Sequence, residues 1–337
     1  MEAQKKIKYS ILELAFIVSG STISDTFNNS VELAQQAESM GYSQFWLAEH
    51  HNTITIASSA TSTLIGHIAG KTRTIRVGSG GIMLPNHSTL IVAEQFGTLG
   101  ILYPNRIDLG LGRAPGTDQA TANAIRSDRR GAANNFSGEV KQLQNYFSDN
   151  NENEMVRAIV AEGVDVPLYI LGSSTDSAHL AAKMGLPYVF ASHFSPAQLF
   201  EALDIYRREF QPSPYLDKPY VIAGVNIVVA ETDAKAAENF TSHLRFFVGV
   251  ITGKTEPLQP PTTMTDELKI LRQLPKVMDM LKYSFVGSRQ IVADQIKFFI
   301  SETGVDEIMA VSNIHEHKDR ITSYSIISDI FKEMNRT

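Results

Sequence analysis

Residues 44–51 read Q-F-W-L-A-E-H-H, and the architecture of the whole chain hangs on them. Four mostly apolar residues, Phe45, Trp46, Leu47 and Ala48, run directly into a carboxylate and two imidazoles, Glu49, His50 and His51. A buried strand looks like this where it leaves the core and opens into a polar pocket. Neighbouring residues on extended backbone point to opposite sides, so at most one of His50 and His51 faces a given ligand unless the chain turns. Zinc is the rival explanation of the cluster. H-E-x-x-H is absent and the chain has no cysteine, so no metal is expected.

Outward from this stretch the same event recurs. Short apolar segments at 10–18, 74–79, 106–111, 167–171, 188–191, 220–230 and 306–312 read as strands. Between them lie helical patterns, among them 28–40 with Asn28, Asn29 or Ser30 as cap, 57–70, 90–102, 118–147 and 288–303. With 44–48 this makes eight strands alternating with helices and no two-residue hairpin, which predicts a parallel sheet. The expected fold is a TIM (β/α)8 barrel in one domain over 1–337, with an irregular, Pro-rich, mobile lid at 251–284 after strand seven. An open doubly wound sheet is the alternative, weakened because no G-x-G-x-x-G follows strand one. The polar run 148–154 reads as a solvated connector.

Composition narrows the function. The 337 residues carry a formal net charge of -6 with a pI near 5.9, so neither nucleic acid nor an acidic membrane surface is an expected partner. No apolar run reaches the ~18 residues of a membrane span, and no secretory leader is apparent at the start. The absence of cysteine suits a reducing cytoplasm.

In a TIM barrel the active site lies at the C-terminal ends of the strands. Polar or glycine-rich residues follow nearly every strand: Glu49-His50-His51, Ser79-Gly80-Gly81, Gly112-Arg113, Gly172-Ser173-Ser174, Ser192-His193 and Ser312-Asn313. The barrel brings them to one rim. Gly172-Ser173-Ser174 ends a strand and opens a helix, where free N–H groups and hydroxyls make a phosphate cradle; Ser174 or Thr175 serving only as a helix cap is the alternative. Arg113, at a neighbouring strand end, offers a forked cation for the same phosphate. A surface pair with Asp118 or Asp108 is its alternative. Gly80-Gly81 is either a close approach to a flat ligand or a plain turn. His193 sits at a strand end. His67, His179 and His243 fall inside helices and read as structural, His87 stays open in a loop, and His315 and His317 read as a solvated helix start.

The motifs F-W-L-A-E-H-H (45–51), V-G-S-G-G-I-M-L-P-N-H (77–87), R-I-D-L-G-L-G-R-A-P-G-T-D (106–118), P-L-Y-I-L-G-S-S (167–174) and S-F-V-G-S (284–288) together resemble the bacterial luciferase-like, flavin-dependent monooxygenases, nearest to their single-chain oxidoreductases. The resemblance implies a TIM barrel with FMN at the strand ends. Arg113, Gly172, Ser173, Ser174 and Ser177 match the positions around the flavin phosphate. Ser79, Gly80 and Gly81 match a bulge under the isoalloxazine ring, with Gly80–Gly81 the candidate for a non-prolyl cis peptide. His50 matches the catalytic histidine, and Glu49 and His51 its neighbours. The segment 251–284 matches a variable lid. The light-emitting relatives carry a cysteine just before the arginine, where this chain has Gly112, so light emission is not expected. The activity implied is oxygenation of a small organic substrate by O2 and reduced FMN from a separate flavin reductase. Hydride transfer with F420 or FMN on the same barrel and a non-catalytic flavin-binding protein are the alternatives. Relatives often form homodimers through helices near strands two and three, here 57–70 and 90–102.

Overall fold

The computed structural model describes residues 6–336. The chain alternates strand and helix almost throughout. β1 (Lys8–Glu13) leads to α1 (Ile23–Met40), β2 (Gln44–Leu47) to α2 (Thr61–Ala69), and β3 (Arg76–Met83) to α3 (Thr89–Leu102). β4 (Ile107–Gly112) is followed by α4 (Gln119–Ile125), α5 (Arg129–Asn134) and α6 (Phe136–Phe147). β5 (Leu168–Gly172) leads to α7 (Thr175–Met184) and β6 (Tyr188–Phe190) to α8 (Leu199–Glu209). β7 (Val221–Ala230) is followed by α9 (Asp233–Thr252), α10 (Asp266–Arg272) and α11 (Pro275–Met280). β8 (Ser284–Ser288) leads to α12 (Arg289–Thr303), and β9 (Glu307–Val311) to α13 (His317–Met334).

Every strand pairing is parallel. β1 to β6 pair in sequence, β6 pairs with β7, β7 with β9, and β9 with β1, which closes eight strands into a TIM barrel. β8 is a ninth strand outside the closure. Ala223 pairs with both Phe190 and Ile308, and Asn226 with both Ser284 and Val311. Partners of one residue lie on opposite edges of its strand, so β8 continues the edge that the three-residue β6 leaves bare. The sequence reading missed β8 because five residues with polar ends and a glycine at φ 151° carry little strand signal.

Other boundaries move for local reasons. β1 stops at Glu13, before Ala15 at φ 54°, and Phe16 and Val18 make only isolated bridges to Ile56 and Leu258. Helix α1 begins earlier than expected. Its cap is Thr22, which accepts from the Asp25 N–H while the Asp25 side chain accepts from the Thr22 N–H; Asn28, Asn29 and Ser30 lie inside the helix. In the segment 251–284 the amphipathic stretch around 268–281 is helical. The segment holds α10, capped by Thr265, and α11, and is stitched to the β1 exit by Leu258, whose N–H donates to the Ile17 carbonyl at 2.9 Å.

Period-two alternation sorts the strand residues into two cores. Leu12, Trp46, Tyr169, Val189, Ile222 and Met309 fill the barrel lumen. Ile11, Phe45, Leu47, Val77, Leu109 and Ile170 face the helical ring. The lumen floor is polar. Buried Asp108 accepts from Trp46 Nε1 (3.1 Å) and Arg76 Nε (2.9 Å), and Glu307 accepts from the Tyr220 hydroxyl (2.7 Å). Asp108 is therefore inside the barrel with Arg76 and is not a partner for Arg113. No helix among the described residues is long and apolar enough to cross a membrane.

Candidate functional site

The alternation that buries Trp46 and Ala48 in the lumen carries on to His50, and sends Glu49 and His51 to the other side with Leu47. Glu49 is 1% exposed and is the hub of that outer side. Its Oε1 bonds Nε2 of His51 and Nε2 of His87, both at 2.9 Å, and its Oε2 accepts the Met83 N–H at 3.0 Å. Asn86 Nδ2 approaches Oε1 at 3.4 Å. Burial alone would push this carboxyl up, but the bonds from His51, His87 and Met83 outweigh it and hold it down at about 2. The carboxylate is ionised, so each imidazole donates to it through Nε2. The donor atoms of Glu49, His51 and His87 lie within 4.8 Å of one another, a spacing compatible with an ion. The N–H groups already converging on Glu49 account for its buried charge without one. His87, open in the sequence, thus joins the cluster from the turn after β3.

The loop after β4 locks onto the same hub. Gly116, at φ 64°, accepts the His51 N–H at 3.3 Å, and a Cβ there would lie 2.7 Å from the Glu49 carbonyl oxygen. Only glycine fits that turn.

On the lumen side, burial lowers the His50 pKa; the Glu49 charge and the Gly116 carbonyl oppose this, and His51 adds to it. His50 is a neutral imidazole near pH 7, able to accept or give a proton. His193, past the end of β6, lies over Gly224 of β7, where an added Cβ would meet Nδ1 at 2.6 Å. Burial and then the charge of His50 push it down to about 3. Its carbonyl accepts from Asn226 Nδ2 at 2.5 Å. His243 of α9 is fully buried between Phe240 and Phe247, with ring centroids at 5.4 and 4.7 Å. Burial and then His193 push it down to about 3.

The residues expected to cradle a phosphate, Gly172, Ser173, Ser174 and Ser177, lie at the end of β5 and the N-terminus of α7. Ser174 is the N-cap residue but makes no side-chain cap bond, which leaves the first N–H groups of the helix open. Ser177 Oγ donates to the Ser174 carbonyl at 2.6 Å and meets the Tyr188 hydroxyl at 3.0 Å. A Cβ on Gly172 would lie 2.1 Å from Ser177 Oγ, so glycine is what lets strand end and helix start close up. Ser173 and Ser174 are half-buried at this rim. Arg113 reaches it from β4, its Nη2 3.1 Å from Asp176 Oδ2 in the first turn of α7. Neither Asp118 nor Asp108 holds it; Asp118 caps α4. The sequence reading overlooked Asp176.

Ser79, Gly80 and Gly81 form neither a turn nor a loop. They sit inside β3, where the register with β4 shifts between Ser79 and Ile82, and the Gly80–Gly81 peptide is cis. A Cβ on Gly80 would lie 2.6 Å from Leu12 Cδ1, and one on Gly81 2.7 Å from the Gly110 carbonyl oxygen. Ser79 Oγ donates to that same carbonyl at 2.8 Å, so its hydroxyl belongs to the barrel wall.

The luciferase-like monooxygenase profile matches residues 8–307. "Uncharacterized protein YvbT" of Bacillus subtilis is 49% identical over 98% of each chain, and a "Luciferase-like monooxygenase" of Escherichia coli K12 is 45% identical over 98% of each. The structure of apo-MsnO8 superposes with a TM-score of 0.88 at 35% identity, covering 97% of this chain and 98% of that one. An N-acetyl-S-alkylcysteine monooxygenase of Bacillus subtilis is 30% identical over 96% of this chain and 98% of its own. Two solved structures at 16% identity share the fold. They are an F420-dependent secondary alcohol dehydrogenase (TM-score 0.70; 96% of this chain, 98% of that one) and the oxygenating constituent of a 3,6-diketocamphane monooxygenase of Pseudomonas putida in complex with FMN (0.69; 96% of each).

Proposed function

Because this chain belongs to the luciferase-like monooxygenase family, we propose that it is a flavin-dependent monooxygenase that inserts oxygen from O2 into a small organic substrate at the barrel mouth. Arg113, Gly172, Ser173, Ser174 and Ser177, with the open N–H groups of α7, would hold the FMN phosphate. Ser79, Gly80 and Gly81 would give the isoalloxazine a flat wall free of side chains. When bound, reduced FMN supplies the electrons that activate O2. The protein contributes position and proton control. His50 holds or delivers the proton at the reacting oxygen, while Glu49 keeps His51 and His87 fixed beside it. The segment 251–284 acts as a lid that keeps water out.

The observation that carries this reading is a neutral, half-buried His50 at the barrel end that also bears an uncapped helix N-terminus and a nearby arginine. A coupled assay tests it: NADH, a flavin reductase, FMN, and a substrate panel of aldehydes, sulfonates and S-alkylated N-acetylcysteines. Substrate-dependent oxygen uptake is expected, with His50→Ala slower by about 10²–10⁴-fold and FMN binding little changed. An unchanged rate in His50→Ala would overturn the role. F420-dependent hydride transfer is the second reading, favoured by the alcohol dehydrogenase of the same fold. Titration of the protein with FMN and with F420 separates them. A chain that binds FMN but turns over nothing on the panel would instead be a flavin-binding protein.

We further propose a homodimer, supported by exposed Ile91, Ile101 and Leu102 on α3, which sedimentation equilibrium would detect. A cytoplasmic location suits a cysteine-free chain supplied by a reductase, and cell fractionation checks it.

A further inference from the structure

Buried polar groups are nearly always hydrogen-bonded, so a cluster that is not needs an explanation. Such a cluster lies beside His50. His193 Nδ1, Asn226 Oδ1 and both ring nitrogens of His243 are buried without a partner. Asn226 and His243 are 1% and 0% exposed, and His193 is 9% exposed. On the buried side of α9, Asn239 and Ser242, four and one residues before His243, leave their side-chain polar atoms unpaired as well.

The placement is specific. Alternation along β7 turns Ile222, Gly224 and Asn226 toward the lumen, and the missing Cβ of Gly224 is the space His193 occupies. Asn226 is held by its own amide nitrogen, which donates to His193 O and to Ser284 Oγ at 3.3 Å, so its unpaired oxygen has a fixed direction. His243 is stacked on Phe240 and packed against the tilted ring of Phe247. Farther along α9, Phe246 packs edge-on against Phe16 at 4.8 Å, and Phe194 packs on His193 at 4.9 Å. None of the unpaired groups of this cluster, on His193, Asn226, Asn239, Ser242 and His243, belongs to a Lys, Arg, Asp or Glu. An anion or a cation would find no countercharge among them.

We propose that His193, Asn226 and His243 form a subsite that hydrogen-bonds an uncharged polar group of the substrate, such as an amide, with its hydrocarbon part against the neighbouring phenylalanines. The site deepens the monooxygenase reading, since it assigns the substrate side of the same barrel mouth. Neutral imidazoles can each donate from one nitrogen and accept at the other, which suits an amide's paired donor and acceptor.

The test is a binding measurement on full-length protein with ¹⁵N-labelled histidine, run with and without oxidised FMN. The probes are hexanamide, hexanoate and hexylammonium, which share a chain length and differ in charge. Hexanamide is expected to shift the ring nitrogens of His193 and His243 and to bind at least about tenfold more tightly than either ion. Asn226→Ala and His243→Phe are each expected to weaken hexanamide by about tenfold. His243→Phe keeps an aromatic ring between Phe240 and Phe247, so it tests the site even if Asn226→Ala misfolds. Equal or tighter binding of an ion, hexanamide binding that leaves both rings unshifted, or no binding at all would overturn the proposal. The last outcome would make the cluster a site for water only. Because no reductant or turnover is involved, failure here leaves the oxygenase assay standing, and failure of that assay leaves this result standing.

Discussion

Glu49 and His193 show how burial acts with and without partners. Glu49 is held ionised by donors on several sides, whereas His193 and His243 have none and stay neutral. For the two histidines the folded pKa, about 3, lies below the ordinary 6.5. The unfolded chain takes up protons that the folded chain refuses. Their share of stability is therefore complete above pH 6.5 and is lost as pH falls toward 3. Each adds a slope of about 1.4 kcal/mol per pH unit in that window. His243→Phe should flatten the pH dependence of urea unfolding between pH 6 and 4 by about one such slope; parallel curves for the two proteins would refute this. His50 could be singled out in the sequence because it follows an apolar strand, and the structure places it just past the end of β2. His243 read as structural, and it is indeed buried between Phe240 and Phe247, but the helical pattern gave no sign that both its ring nitrogens lack a partner. His87 could not be singled out, because only folding brings the turn after β3 to Glu49.

At the scale of elements, the start of α7 is defined by an omission, a cap residue whose side chain does not cap. The open N–H groups and Arg113 offer donors at the rim, and Asp176 holds the guanidinium in place. Arg113→Ala should raise the FMN dissociation constant by about ten- to a hundredfold, read by flavin fluorescence quenching, because a charge-assisted bond is lost. A variant that binds FMN as tightly as the natural chain would move the phosphate elsewhere. The strand-then-Gly-Ser-Ser pattern was readable, since strand end and helix start are local. Asp176 was overlooked because an acidic residue in a first helical turn is ordinary. β8 was overlooked because its strand character comes from pairing with β7 rather than from its own residues.

For the molecule as a whole, eight βα units could be counted from hydrophobic periodicity, but closure depends on contacts between the two ends of the chain. Arg320 of α13 forms a buried ion pair with Glu13 of β1, and Glu13 also accepts the Ala15 N–H at 2.6 Å. Asn335 bonds the backbone of Ile7 twice at 2.9 Å at the opposite end of β1 and α13, and the Tyr42 hydroxyl donates to the Tyr324 carbonyl at 2.7 Å. Removing one member of a buried pair strands the other charge. Glu13→Ala should cost about 3–5 kcal/mol in denaturant unfolding, and replacing both members by apolar residues should recover much of that loss. A loss below about 1 kcal/mol would mean that the pair is hydrated rather than buried. No sequence pattern marks Glu13 and Arg320 as partners, because they lie at opposite ends of the chain.

The ninth strand has an evolutionary consequence. The segment between Gly253 and Tyr283 starts at the end of α9 and ends at the start of β8, and both of these pack against β7. The barrel wall therefore closes without it. Doubling the length of such a loop costs only about 0.6 kcal/mol in closure entropy. A lineage could exchange this one piece like a fitting in a standard socket, while the closed wall is inherited unaltered.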